Sequence, residues 1–125
     1  MQYRKALADC KRALRSEPDD YTTYRVRGAA YLGLGKYEAA KRNLDLVLQE
    51  DRLDAEALYL RGRVWTALGQ HRRAVSDFDR SLAVRPLVAE VYYHNGLANQ
   101  KLGDLDEAEA NRTKAFQLDP LVDRR

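Results

Sequence analysis

Sliding the chain along itself by 34 residues lays YTTYRVRGAAYLGLGKYEAAKRNLDLVLQEDRLD (21–54) over AEALYLRGRVWTALGQHRRAVSDFDRSLAVRPLV (55–88) with no gap. The next step lays both over AEVYYHNGLANQKLGDLDEAEANRTKAFQLDPLV (89–122). Gly28, Gly62 and Gly96 coincide, as do Gly35, Gly69 and Gly103, and Ala40, Ala74 and Ala108. Leu34, Leu68 and Leu102 precede the second glycine, and Leu48, Leu82 and Phe116 recur near the end of each unit. A period of this length marks a helical array, whose units bury their apolar faces by stacking on one another.

Each unit reads as two helices joined by a tight turn. The first, over about 21–33, 55–67 and 89–101, closes on a Leu-Gly pair, where glycine accepts the left-handed conformation that ends a helix. The second, over about 37–50, 71–84 and 105–118, runs toward Pro86 or Pro120 in two of the three units, and a missing N–H stops it there. Gly28, Gly62 and Gly96 fall inside the first helix, where glycine costs about 1 kcal/mol relative to alanine. Close approach of the second helix, opposite Ala40, Ala74 and Ala108, is the expected compensation. Residues 1–20 repeat only the second helix of such a pair, with Tyr3 over Tyr37, Ala6 over Ala40 and Pro18 over Pro86. Its first helix is missing, which reads as a cut within a longer array in preference to a native cap, and it leaves Leu7, Cys10 and Leu14 short of a partner. The expected organisation is therefore 1–20 as half a unit, whole units at 21–54, 55–88 and 89–122, and a tail at 123–125.

The stretch GAAYLGLGKYEAA has the glycines and the lysine of a phosphate-binding loop but not its order. That loop needs G-x-x-x-x-G-K-[ST], so that backbone N–H groups, a lysine and a hydroxyl meet the phosphates and magnesium. Ala30 and Tyr37 stand in the first-glycine and hydroxyl slots. Lys36 aligns with Gln70 and Asp104, a turn position with no fixed chemistry. No cofactor and no metal are expected, and an enzyme is disfavoured. There are no zinc-spaced histidines, nucleophile elbow or paired catalytic acids, and Glu56 and Glu90 recur only at the repeat period. The single Cys10 allows no internal disulfide.

Net charge is +3, but basic and acidic residues are closely mixed, whereas a nucleic-acid binder concentrates Lys and Arg on one face or arm. Nucleic acid is therefore disfavoured as a partner. No apolar run approaches the roughly 18 residues of a membrane span, and MQYRKALADCKRAL lacks the pattern of a signal peptide. A cytoplasmic setting is expected.

Taken together, these residues resemble the tetratricopeptide repeat (TPR) family, whose unit follows W-x₂-L-G-x₂-Y…A-x₃-F…P. The second unit matches most fully, with Leu58, Arg61, Gly62, Trp65, Ala74, Phe78 and Pro86. The first has Tyr24, Arg27, Gly28, Tyr31, Ala40, Leu44 and Arg52 at these slots, the third Tyr92, Asn95, Gly96, Asn99, Ala108, Arg112 and Pro120. The leucine slot is polar in all three (Arg27, Arg61, Asn95), so those side chains must snorkel or find partners. Arg112 and Glu109 give the third unit a solvated second helix, as expected at the end of an array. The resemblance implies an all-α fold of about three and a half repeats and seven helices, wound as a right-handed superhelical array of antiparallel pairs. It also implies a protein-protein interaction scaffold that binds an extended peptide segment in a concave groove lined by first helices.

Matching positions place Arg25, Ala29, Leu32, Glu56, Tyr59, Leu60, Arg63, Glu90, Tyr93, His94, Leu97 and Lys101 on that face. A family subclass clamps a chaperone's C-terminal carboxylate with lysines, asparagines and an arginine. The slots here hold Arg25, Ala29, Leu60, Glu90 and His94, only the first of them suitable, so that role is disfavoured. Arg25, Arg63 and Lys101 follow one another every 38 residues, one repeat plus one helical turn, which sets them in a diagonal row. Helices about 9 Å apart and a four-residue rise of about 6 Å separate neighbours by roughly 11 Å. An extended chain advances about 3.3 Å per residue, so acidic residues about three apart could meet them. The expected site is Arg25, Tyr59, Arg63, Tyr93, His94, Leu97 and Lys101, with an acidic, partly apolar partner segment as its ligand. The alternative is self-association into a homo-oligomer through the unpaired N-terminal helix.

Overall fold

A computed structural model describes residues 2–124. Among these residues it contains seven α-helices, a terminal 3₁₀ turn and no strand. The helices are α1 (Tyr3–Ser16), α2 (Tyr21–Gly33), α3 (Tyr37–Glu50), α4 (Ala55–Ala67), α5 (His71–Val84), α6 (Ala89–Leu102) and α7 (Leu105–Leu118), followed by a turn at Val122–Arg124. Helices α2 and α3, α4 and α5, and α6 and α7 pair in sequence, and each pair stacks on the next as a superhelical array. α1 packs against α2.

Every pair is closed by the same hydrogen-bonded turn. Gly35, Gly69 and Gly103 adopt φ of 74°, 77° and 81°. Their N–H groups donate to the carbonyls of Leu32, Thr66 and Gln100, and those of Lys36, Gln70 and Asp104 donate to Tyr31, Trp65 and Asn99. This is the Schellman arrangement, which satisfies carbonyls left open at a helix end. Asp20 and Asp54 cap α2 and α4 by accepting from the N–H groups of Thr23 and Ala57.

The glycines inside the first helices lie against the second helix of their own pair, but the closest groups belong mainly to the residue four positions beyond the expected alanine. A Cβ at Gly28 would lie 2.9 Å from Leu44, and one at Gly62 would lie 2.5 Å from Phe78. At Gly96, where Arg112 replaces the large apolar residue, the nearest atom is the Ala108 carbonyl oxygen at 3.2 Å.

Among the described residues the core gathers in three clusters along the stack, the first two linked through Tyr59 and the third built on Ala89, Ala115 and Val122. Leu44, Leu48, Leu58 and Val64 join the first joint, and Ala74, Phe78, Val91 and Ala98 the second. Ala40, Leu44, Leu48, Leu58, Ala74 and Phe78 are buried as expected, while Tyr31, Trp65, Leu82 and Phe116 are half-buried. One expectation is corrected at α1: Cys10 has a partner after all and is only 5% exposed. Burial on the α2 side pushes its thiol pKa up, opposed by the nearby Arg27.

The polar leucine-slot residues find partners. Arg27 Nε donates to Asn43 Oδ1 at 2.6 Å. Arg61 forks onto Asp77 at 2.7 and 2.9 Å and reaches back to Asp45 at 3.1 Å. Asn95 Nδ2 donates to Asp79 Oδ1 at 2.8 Å. These contacts run 16 residues forward or backward, so a polar ladder crosses both within and between pairs.

Candidate functional site

First helices α2, α4 and α6 lie side by side, α4 between the other two. Tyr59 of α4 and His94 of α6 meet with ring centroids 5.7 Å apart, and Phe78 lies 6.1 Å from Tyr59 and 6.4 Å from His94. His94 meets Tyr93 edge-on at 5.5 Å, and Tyr93 continues to Phe116 at 6.4 Å. The Arg63 guanidinium stands 5.8 Å from the Tyr59 ring centroid, within cation–π range. Burial, with Arg63 adding to it, lowers the His94 pKa from 6.5 to about 4. Near neutral pH this imidazole is uncharged and offers an aromatic face and a hydrogen-bonding edge. Burial also raises the Tyr59 pKa, with Arg63 opposing.

The structure thus brings Tyr59, Arg63, Tyr93 and His94 together. Leu97 follows one turn along α6 and is 41% exposed, and Lys101 is exposed in the last turn. Arg25 is already ion-paired. Its guanidinium donates to Asp54 Oδ2 at 2.6 Å and lies 3.6 Å from Glu56, so acidic partners already meet its charge. Leu60 is buried in the first joint and lines no surface. Phe78 and Phe116, absent from the expected set, complete the aromatic run, although the repeat alignment already put Phe116 over Leu48 and Leu82. A recess of about 210 Å³ opens beside Tyr59, between Glu56, Ser81, Arg85 and Glu90.

On the opposite side of α4, Trp65 is held between Lys41, 5.3 Å from its ring, and Arg73, 4.9 Å away. Among the described residues no three His, Cys, Asp or Glu side chains gather as metal ligands, and no helix is long and apolar enough to cross a membrane.

Two family models described as tetratricopeptide repeat match residues 2–64 and 66–120, and between them they take in all seven helices except Trp65 of α4. The chain belongs to the tetratricopeptide repeat family. TPR proteins form a protein-interaction scaffold family, and the paired helices and glycine turns described above are its architecture. Among solved structures this TPR chain is similar to a MamA protein at 22% identity, covering 98% of this chain and 67% of that one with a TM-score of 0.81. A MamA RS-1 double mutant gives 23% identity, coverage of 98% and 69%, and a TM-score of 0.84. MamA 41-end from Desulfovibrio magneticus RS-1 gives 23% identity, coverage of 94% and 67%, and a TM-score of 0.83. At these identities the likeness establishes the fold. No curated protein matches the sequence.

Proposed function

We propose that this chain is an interaction module that holds an extended segment of a partner protein across the concave face formed by α4 and α6. The observation that carries the proposal is the aromatic run Tyr59–His94–Tyr93 on neighbouring first helices, with Arg63 beside it. Half-buried aromatic rings with one polar edge give large contact area at small entropic cost, and Arg63 supplies the charge. Lys101, exposed at the far end of α6, supplies the second cation. A segment with acidic residues between apolar ones matches this surface, and its affinity falls as salt screens the two cations. Arg25, tied to Asp54 and Glu56, contributes position to the wall and little charge to the ligand.

Self-association through α1 has less to bury than the sequence suggested, because Cys10 is already covered. The exposed residues of α1 include Arg4, Lys5, Arg12 and Arg15, which repel in a face-to-face pair. A cytoplasmic setting is part of this proposal, from charges spaced through MQYRKALADCKRAL and the lack of a long apolar run.

The test uses twelve-residue peptides selected on the chain from a random display library, with binding measured by calorimetry. Arg63→Glu and Tyr59→Ala are expected to weaken the selected peptides by about tenfold or more, the scale of one charge-assisted or aromatic anchor. Arg72→Glu is the control, since Arg72 is exposed on α5, whereas Arg73 packs on Trp65. Equal losses in all three variants would place binding elsewhere.

A further inference from the structure

The recess of about 210 Å³ beside Tyr59 is walled by the start of α4, the end of α5 and the start of α6, so described chain continues on both sides of every wall. Ala55, Val88 and Val91 give it an aliphatic lining and Tyr59 a ring. The Ser81 hydroxyl is already engaged, since its Oγ donates to the Ala55 carbonyl at 2.8 Å. The charged groups of the lining are Glu56, Glu90 and Arg85. Glu56 lies 3.6 Å from the Arg25 guanidinium, so two carboxylates stand with two guanidiniums and neither sign prevails. The preceding joint, 34 residues earlier, shows what has changed. There Arg25 holds the slot of Tyr59 and Asp54 the slot of Val88, and the two meet at 2.6 Å across the start of α4. Tyr21 holds the slot of Ala55. In the second joint the charged pair has become a tyrosine and a valine and the large side chain a methyl group, and the space beside them is apolar and open.

We infer that this recess is the subsite for one large apolar side chain of the partner segment, of leucine or methionine size. The inference rests on the concave-face binding proposed above and adds the register of the bound segment. The volume equals roughly seven water molecules at about 30 Å³ each, which is room for a single side chain and too little for a helix. An aliphatic group covering Ala55, Val88 and Val91 removes apolar surface from water without stranding a polar group. An amide in the same place must shed its water against aliphatic walls, and a lysine would add a third cation to a rim whose charges already balance. Tyr59 belongs both to the recess and to the aromatic run, so the subsite continues the proposed binding face. Ala55 and Arg63 are eight residues apart on α4, about 12 Å of helix rise. Three or four residues of extended chain, at about 3.3 Å each, cover that distance. The apolar residue therefore stands three or four positions from the acid that meets Arg63.

The probe is the tightest twelve-residue peptide selected on the chain, with each large apolar residue replaced singly by asparagine and by lysine. Calorimetry measures its binding to the full 125-residue chain and to the variants Val88→Asp, Arg63→Glu and Tyr59→Ala. Val88 is the N-cap of α6 and makes no side-chain cap hydrogen bond, while Asp54 in the same slot caps α4. Val88→Asp is therefore expected to keep the fold and raise the melting temperature while setting a carboxylate in the recess wall. One apolar residue, three or four positions from the peptide acid coupled to Arg63, is expected to lose at least about tenfold on replacement by asparagine in the unaltered chain and less than about threefold in Val88→Asp. The absence of such a residue, or an undiminished affinity of the parent peptide for Val88→Asp, overturns the inference. So does a lysine replacement that binds tighter than the parent, which would make the occupant a cation. The asparagine scan on the unaltered chain decides the question even where Val88→Asp loses stability. Where Arg63→Glu and Tyr59→Ala weaken the peptide and Val88→Asp does not, the subsite alone is lost; where all three leave binding unchanged, the concave-face reading falls with it.

Discussion

At the scale of single residues, the polar ladder shows how a family position normally held by leucine becomes charged without loss of packing. Arg61 is tolerated because Asp77, 3% exposed, meets it with two hydrogen bonds and Asp45 adds a third. Removing one partner of such a pair leaves the other desolvated and costs more than removing both. Asp77→Ala is expected to lower stability by about 2 to 4 kcal/mol, and Arg61→Met with Asp77→Leu to regain at least half, as read by urea denaturation. His94 makes a separate prediction. Its folded pKa of about 4 lies below the usual 6.5, so between those values the unfolded chain binds the extra proton. Stability therefore falls as pH drops from about 6.5 toward 4, by at most about 1.4 kcal/mol per pH unit for one group. Melting curves of His94→Gln should lose this part of the pH dependence, while a superimposable slope in the variant would assign it to the carboxylates.

At the scale of the helix, the ends were legible in the sequence because they are local chemistry. Glycine at the turn and proline past the end act within a few residues, and six helices end within a residue of their expected bounds. The partners of Arg25 and Arg61 were not legible, because they lie 29 and 16 residues away and depend on which rotamers the stack selects. Asp54 illustrates the difficulty: it caps α4 through one oxygen and takes Arg25 through the other. The two classes of glycine are now separable by experiment. Gly69→Ala meets nothing within 4 Å and is strained only by its φ of 77°, for a cost of about 1 to 2 kcal/mol. Gly62→Ala keeps an ordinary helical backbone but drives its Cβ into the buried Phe78, for about 1 to 3 kcal/mol from overpacking, reduced by alanine's better helix propensity. The second cost should diminish in Gly62→Ala with Phe78→Leu and the first should not, both followed by thermal melting.

At the scale of the whole molecule, a strict period gave the fold class and the neighbouring first helices, and so the face on which Tyr59 and Tyr93 stand. It could not show that His94 would bridge them, since the residue one repeat earlier, Leu60, is buried in the preceding joint. The proposed function rests on that asymmetry: similar scaffolding presents a different surface at each step, and here Tyr59, Tyr93, His94 and Arg63 stand together. The most direct test of this account is a nuclear magnetic resonance footprint of the chain bound to a display-selected peptide. Side-chain signals of Tyr59, Arg63, Tyr93 and His94 are predicted to shift together at saturating peptide, while those of Trp65 and Arg72 stay in place. Shifts centred on Trp65 and the outside of α5, with Tyr59 and His94 unmoved, would contradict it.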